Sequence, residues 1–472
     1  MLKKIIIHTF FFISFISFFI ADTYAKNLSR PNIVLITLDA LRPDHLSCYG
    51  YERKTSPNID RLAEEGILFT QAIAQSSHTY CSIPSIIFSR YLPFYEINFN
   101  VDSEIRYRVK KNVTSLIEIL RDSGYTVGLF LRKSGNLFSI YLGVSAYANE
   151  IVIALNNRCK DSESLTHWAL KFIERSKNTP FFIWIFYYPP HAPYIPPPYL
   201  QDLFIGDSIY KKQIKEYDML SISSEMYHSF GREIPMEAYL EPHKEYAYYI
   251  AQYDGYIRYI DELIGRIINE LKKLNLYKDT LIIINSDHGE LMGEHGRYFC
   301  HGELLYEPLI KVPLIMRYKS FPQGEKISTQ IELIDLVPTI LDILDISIPE
   351  TFQGESFLDV ILGKRNKHKK YAFSILEDYR ISLRTSKYKL IKNIRSTPFE
   401  EKLNLKPPKY ELYNIQNDSL EINNVSQKYP EIVKEFEKVL KEFMEKITFE
   451  EETRKEDTVR ELERLKSLGY VQ

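Results

Sequence analysis

The chain lacks an excess of positive charge: 60 Lys and Arg against 62 Asp and Glu in 472 residues leave a formal charge of -2. That excludes the broad basic field that nucleic acid requires, so an anionic substrate must be held by a local cluster. Cysteine is also scarce. Cys48, Cys81, Cys159 and Cys300 are widely and irregularly spaced, with no CxxC knuckle for zinc and no disulfide framework. Internal repeats are absent. Long apolar runs are missing except at the N-terminus, where Lys3 and Lys4 precede residues 5–20 and the small-residue zone Ala21-Asp-Thr-Tyr-Ala25 follows. This reads as a signal peptide over residues 1–25. The run of roughly 16 residues is short for a spanning helix. No Cys stands near the cut to suggest a lipoprotein. The expectation is a periplasmic or secreted protein with no membrane span once cleaved, an uncleaved anchor being the alternative.

What is present is a globular composition, 45% hydrophobic and 26% charged, long enough for one large α/β domain plus a smaller unit. A buried-type strand is expected over residues 32–38, and Ser56-Pro57 opens a helix that closes near Gly66. Helices over 113–121, 165–175 and 244–274 alternate with strands over 126–130, 181–186, 280–285 and 312–316. Such alternation predicts a mostly parallel central sheet with helices on both faces. A Pro-rich turn over 189–198 and a Tyr-rich insertion over 199–241 interrupt the rhythm, as lids and binding loops do. After Gly354 short strands over 379–384, 387–392 and 411–415, then two charged helices from about residue 430, predict a small antiparallel-sheet-and-helix subdomain. The expected division is a catalytic-type domain over 26–365 and a C-terminal subdomain over 366–472.

The most informative segment is Ser286-Asp287-His288-Gly289-Glu290, directly after the apolar run Thr280-Leu-Ile-Ile-Ile-Asn285. Open α/β sheets bind ligands at the carboxyl ends of their strands. Asp39 ends the first strand as Asp287 ends a later one. Both carboxylates can therefore meet at one sheet edge and, with His288, surround a divalent cation. The plainer reading is a turn-capping Asp39 beside a surface histidine.

At these residues the chain resembles the sulfatase branch of the alkaline-phosphatase superfamily. The resemblance runs through Asn32-Ile-Val-Leu-Ile-Thr-Leu-Asp39, Leu41-Arg-Pro-Asp-His-Leu-Ser-Cys-Tyr-Gly50, Thr55-Ser-Pro-Asn-Ile-Asp60 and His191-Ala-Pro-Tyr194. It continues through Ser286-Asp-His-Gly-Glu-Leu-Met-Gly-Glu-His295, Tyr306-Glu-Pro-Leu-Ile-Lys-Val-Pro313, Asp335-Leu-Val-Pro-Thr339, Glu411-Leu-Tyr413 and Leu465-Lys-Ser-Leu-Gly-Tyr470. It implies an enzyme that cleaves a sulfate or phosphate ester through a covalent intermediate on a metal-bound nucleophile. Sulfatases carry that nucleophile in Cys-x-Pro-Ser-Arg or Ser-x-Pro-Ser-Arg and oxidise it to formylglycine. This chain departs from the pattern, reading Ser77-His-Thr-Tyr-Cys-Ser-Ile-Pro-Ser-Ile-Ile-Phe-Ser89. One register puts Ser82 at the nucleophile position with Ile86 where Arg should stand. Another puts Thr79 there, and Thr79 to Pro84 is also similar to the nucleophile segment of phosphoethanolamine transferases. Thr79 is the favoured nucleophile, with Ser82 and Cys81 as rivals. Its hydroxyl would need a metal to stabilise the alkoxide. A helix expected to begin near Pro84 would aid the anionic group. Thr cannot give formylglycine, because its β-carbon bears a methyl group.

His191 stands in a Pro-stiffened turn that would hold its ring with little entropy to lose, and the resemblance makes it a substrate contact. The resemblance also implies His301 as an anion contact or general acid, with His295 as substitute, and Arg132, beside Lys133, as a cationic contact. Arg42 and Asp44 look like a structural ion pair. The family's second acidic ligand is missing, since Ala40 follows Asp39. The implied metal set is Asp39, Thr79, Asp287 and His288 around one divalent ion, the Ca typical of sulfatases or Mn or Zn. The expected function is a metal-dependent hydrolase of sulfate or phosphate esters of a small molecule or glycan. A phospho-headgroup transferase using Thr79 and a non-catalytic glycan- or partner-binding member are the alternatives.

Overall fold

The computed structural model describes residues 30–91, 95–99, 105–109, 113–132, 147–154 and 158–447. The expected signal peptide, Lys133, the second C-terminal charged helix and the motif at 465–470 lie outside the described residues.

The main sheet runs in the order Glu325–Ile327, Ile67–Ile73, Lys311–Arg317, Thr280–Ser286, Asn32–Asp39, Phe181–Pro190, Thr126–Arg132, Glu150–Ala154. The last five are mutually parallel. Lys311–Arg317 is antiparallel to both its neighbours. Every residue of the central strand Asn32–Asp39 is buried. Its side chains alternate between two cores. Ile33 and Leu35 join the helices Thr79–Phe88, Leu116–Asp122 and Leu336–Ile343. Val34, Ile36 and Leu38 join Pro57–Glu64, Arg158–Ser176 and Tyr246–Lys273. A strand covered on both faces reads as a continuous apolar run, which is why it was visible in the sequence.

Register then fixes the site. Leu38 lies opposite Ser286 in the parallel pair, so the next residues, Asp39 and Asp287, emerge together at the carboxyl edge. On the other side Asp39 lies opposite Pro190 after a shift in register, which brings His191 to the same edge. Arg132 ends the strand that pairs with Phe181–Pro190.

The expected helix near Pro84 instead begins at Thr79, with His78 as its N-cap and Pro84 inside it. The strands Ile67–Ile73 and Glu150–Ala154 were not anticipated from the sequence. The C-terminal sheet has four antiparallel strands, Ala372–Leu376, Arg380–Arg384, Tyr388–Asn393 and Tyr410–Asn414, the first of them unanticipated. A helix over 430–447 packs on it through Val433, Phe436 and Leu440. The first strand is fastened to the main body by Ile375 N–H donating to Gln75 O at 2.8 Å. The insertion over 199–241 holds two short helices, Pro198–Gln201 and Ser208–Glu216. It is tied down by Arg53, whose guanidinium bridges Asp207 and Asp254, each at 2.8 Å. All four cysteines are free thiols.

Candidate active site

Asp39, Asp287 and His288 are completely buried, and one ligand atom from each lies within 4.8 Å of the others. His288 Nε2 stands 3.5 Å from Asp39 Oδ1 and 3.6 Å from Asp287 Oδ2. Its Nδ1 lies 2.8 Å from Gly289 O. A carbonyl only accepts, so the proton sits on Nδ1 and the Nε2 lone pair faces the two carboxylates. Gly289 has a reason to be glycine: a Cβ there would lie 2.0 Å from Pro308 O, and its N–H donates to Leu309 O at 2.7 Å.

The chemistry of Asp39, Asp287 and His288 fits a divalent cation. Asp287 Oδ1 accepts from His288 N–H at 3.0 Å, but Oδ2 is buried without a hydrogen-bond partner. An orphaned buried carboxylate oxygen is costly unless a cation takes it. Burial, with Asp39 adding, pushes the Asp287 carboxyl up to about 6 against the pull of His288. Burial opposes charge on His288, yet Asp287 and Asp39 outweigh it and raise its pKa. Thr79 Oγ1 completes the group, 2.9 Å from His288 Nε2 and donating to Asp39 Oδ1 at 3.4 Å.

The rival nucleophiles are placed differently. Ser82 is buried and donates its hydroxyl to Asp287 O at 2.6 Å. Cys81 packs in the apolar core on the other side of the helix. At the helix N-terminus two of the first-turn donors, the N–H groups of Tyr80 and Cys81, are already used. Tyr80 N–H donates to His78 Nδ1 at 3.3 Å, and those of Cys81 and Ser82 donate to His78 O.

Above this floor opens a cavity of about 710 Å³ lined by Thr79, Arg132, His191 and His301, with Tyr227 and Glu237 of the insertion also in its wall. Arg132 Nη2 pairs with Asp39 Oδ2 at 2.6 Å, and its guanidinium lies 4.4 Å over the Tyr188 ring. His191 Nδ1 donates to Ala192 O at 2.7 Å, so its Nε2 lone pair is presented. His191 and His301 are 4.8 Å apart between ring centroids, and His301 and His288 4.4 Å. Burial and neighbouring charge hold both His191 and His301 well below the usual histidine range.

Two residues of the site escaped sequence reasoning. Glu290 lies 2.9 Å from His301 Nδ1 through Oε1 and accepts from Tyr194 OH at 3.1 Å through Oε2. Burial pushes it up to about 8. Its only signal was its place in the quoted Ser286-to-Glu290 segment. His78 lines the cavity, and its only signal was adjacency to Thr79. His295, the alternative to His301, is stacked on Tyr306 at 3.5 Å and is absent from the residues lining the cavity. Arg42 and Asp44 do form an ion pair at 2.7 Å, shared with Glu294 at the same distance.

Residues 31–346 match the sulfatase family, and residues 293–447 match the C-terminal region of N-sulphoglucosamine sulphohydrolase. The chain is 24% identical over 520 residues to the N-acetylglucosamine-6-O-sulfatase of Bacteroides thetaiotaomicron, covering 92% of this chain and 90% of that protein. The solved structure of BT4656 in complex with its substrate D-glucosamine-2-N,6-O-disulfate superposes with a TM-score of 0.69 at 21% identity, covering 89% and 98% of the two chains. The phosphonate monoester hydrolase of Agrobacterium radiobacter superposes at 0.65 and 19%, covering 87% and 95%. The chain belongs to the sulfatase family, and as an enzyme it falls among the sulfuric ester hydrolases. Members of that family bind a divalent metal, for which Asp39, Asp287 and His288 are the candidate group. Among the described residues no helix is long and apolar enough to cross a membrane.

Proposed function

We propose that this sulfatase-family hydrolase cleaves a sulfate or phosphate ester of a glycan or small molecule through a covalent ester on Thr79. The observation that carries the reading is the position of the Thr79 hydroxyl, 2.9 Å from His288 Nε2 and 3.4 Å from Asp39 Oδ1. Asp39, Asp287, His288 and Thr79 would hold one divalent ion, Ca, Mn or Zn, which when bound would favour the alkoxide of Thr79. Two carboxylates, one imidazole and one hydroxyl suit Mn or Zn at least as well as Ca.

The remaining roles belong to the chain's own groups. Arg132 borders the cavity where the non-bridging oxygens of the ester would lie, offering charge where the transition state develops it, and His191 lines the same cavity. As Thr79 Oγ1 bonds to sulfur or phosphorus and the bond to the leaving oxygen breaks, His301, paired with Glu290, would relay the proton released by Thr79 to that oxygen. Water then attacks the same sulfur or phosphorus, the bond to Thr79 breaks, and Thr79 regains its proton. Thr79 bears no second hydroxyl on Cβ, so release by elimination, open to a formylglycine hydrate, is closed. That favours phosphoryl chemistry as the second reading, including transfer of a phosphate-bearing headgroup. The relatives' names point to amino-sugar esters as the substrate class. An exported protein whose leader is residues 1–25, with a catalytic domain over 26–365 and a subdomain over 366–472, is the accompanying proposal.

The test is to assay the protein with aryl sulfate and with aryl phosphate mono- and diesters across Ca, Mn and Zn, beside Thr79→Ala, Ser82→Ala and Cys81→Ala. Turnover lost in Thr79→Ala alone is expected. Loss confined to Ser82→Ala or Cys81→Ala refutes the nucleophile, and no turnover of any ester with any metal favours a binding protein.

A further inference from the structure

We infer that His78 is a substrate contact whose Nε2–H donates to an oxygen of the transferred group beside Thr79. The inference rests on the reading of Thr79 as acceptor of that group. Its physical basis is the tautomer. His191 and His288 each give their Nδ1 proton to a backbone carbonyl, at 2.7 and 2.8 Å. In the neutral ring each is left with a bare lone pair at Nε2, an acceptor or a ligand but not a donor. His78 is wired the other way. Its Nδ1 accepts from Tyr80 N–H at 3.3 Å, which requires an unprotonated Nδ1 and leaves the proton on Nε2. Unlike those two rings, His78 offers a donor without first taking up a proton.

Two further observations place that donor where the anion would need it. His78 caps the helix that begins with Thr79, and its own side chain and carbonyl have taken the N–H groups of Tyr80, Cys81 and Ser82. The Tyr80 donor is therefore withdrawn from the substrate, and the imidazole that takes it lines the cavity with Thr79, His191 and His301. Among the described residues no group pairs with His78 Nε2. The ring is also given room on purpose by Gly302, the residue after His301. A Cβ at Gly302 would lie 2.7 Å from His78 Cδ2 and 3.5 Å from Nε2. With φ at +85° that position favours glycine in any case. The result is a ring seated between the nucleophile's helix and His301, 6.1 Å from the His301 ring between centroids.

Binding of inorganic phosphate and inorganic sulfate to the manganese-loaded full chain, followed by calorimetry, tests this. His78→Asn keeps a side chain that caps helices well but is too short to reach the cavity. It is expected to retain the melting temperature while weakening binding of the anion about ten- to a hundredfold, the worth of one hydrogen bond to a charged group. His78→Gln, which carries an amide donor farther out, should recover part of the loss. Wild-type affinity in His78→Asn overturns the contact, as does a loss that His78→Gln leaves unrepaired, or a wild type that binds neither anion. Ester turnover separates the two readings. Weakened anion binding in His78→Asn without any wild-type turnover leaves the contact standing and removes the hydrolase. Turnover through Thr79 with unaltered binding in His78→Asn does the reverse.

Discussion

Two of the buried clusters of charge among the described residues differ in that one is fully paired and the other is not. Around Asp335 and Glu332, Lys369 Nζ donates at 2.6 and 3.2 Å, His368 Nε2 lies 3.1 Å from Asp335, and Tyr91 OH donates to Glu332 at 2.7 Å. The backbone N–H groups of Glu355 and Phe373 fill further positions, each at 2.8 Å. All four carboxylate oxygens are satisfied. Around Asp39 and Asp287, Asp287 Oδ2 has no hydrogen bond, Asp39 Oδ2 is met by the Arg132 guanidinium at 2.6 Å, and the Thr79 hydroxyl points inward. Both clusters come from segments that resemble sulfatases, Asp335-Leu-Val-Pro-Thr339 and Ser286-Asp-His-Gly-Glu290. The first is a weld between the main body and the C-terminal sheet, and the second is a place left for something to bind. Incomplete pairing under complete burial marks function more reliably than burial or charge alone.

The sharpest way to break this contrast is Thr79→Ala. It removes the hydroxyl and the γ-methyl of one small side chain from the incomplete cluster, so stability should change far less than turnover of the ester, which falls by about a thousandfold or more. Residual activity within tenfold of wild type, in single-turnover assays, would mean that another group attacks.

The complete cluster should fail in the opposite manner. Lys369→Met leaves two buried carboxylates facing each other, which costs about 3–5 kcal/mol in denaturant unfolding, while turnover per folded molecule persists. A pH series adds a sign. Burial resists ionisation of Asp335, but Lys369 and His368 hold its pKa below the usual value. A depressed carboxyl contributes stability that is fully present above its unfolded pKa of about 3.9 and is lost as pH falls below it. The stability gap between wild type and Asp335→Asn should therefore be constant near neutrality and narrow below about pH 4. A gap that widens on acidification would show that the network does not act through the ionised carboxylate.

How far the contrast was visible before the fold was known depends on what kind of contact made it. Asp39 and Asp287 were legible because each ends an apolar run and strand ends converge at one edge of an α/β sheet. His191, Arg132 and His301 came from resemblance, and the structure brings all three to one cavity. The helix of Thr79 was misread because Pro84 looks like a first-turn residue, whereas it stands inside the helix and the true cap is His78. The strand Ile67–Ile73 was missed because Thr70 and Gln71, both half-buried, interrupt its apolar run. Glu290 and His78 are positioned by tertiary contacts, with His301 for one and Gly302 for the other, which no local pattern encodes.

Removing metal should sharpen the same contrast at a smaller scale. With a divalent ion at a hundred times its dissociation constant, the incomplete cluster gains about 2.7 kcal/mol of stability by linkage. Adding chelator should lower the melting temperature of wild type accordingly and leave Asp287→Asn unaffected. An equal chelator shift in Asp287→Asn would place the ion elsewhere.

The smallest expected effects separate the rival nucleophiles from supports. Ser82 Oγ donates to Asp287 O at 2.6 Å, so Ser82→Ala should cost about 1 kcal/mol of stability for one lost buried hydrogen bond. Because that bond holds the backbone of a ligand candidate, some loss of metal affinity should accompany it. Cys81 contributes packing among Ile83, Ile86 and neighbouring apolar residues, so Cys81→Ala should lower stability slightly through a small cavity and leave metal affinity untouched. The two variants differ in kind, since one perturbs the backbone beneath the metal candidates and the other only the core behind the helix. A Ser82→Ala protein that keeps its metal affinity and loses its turnover would place the reactive oxygen at Ser82 and make Thr79 the support.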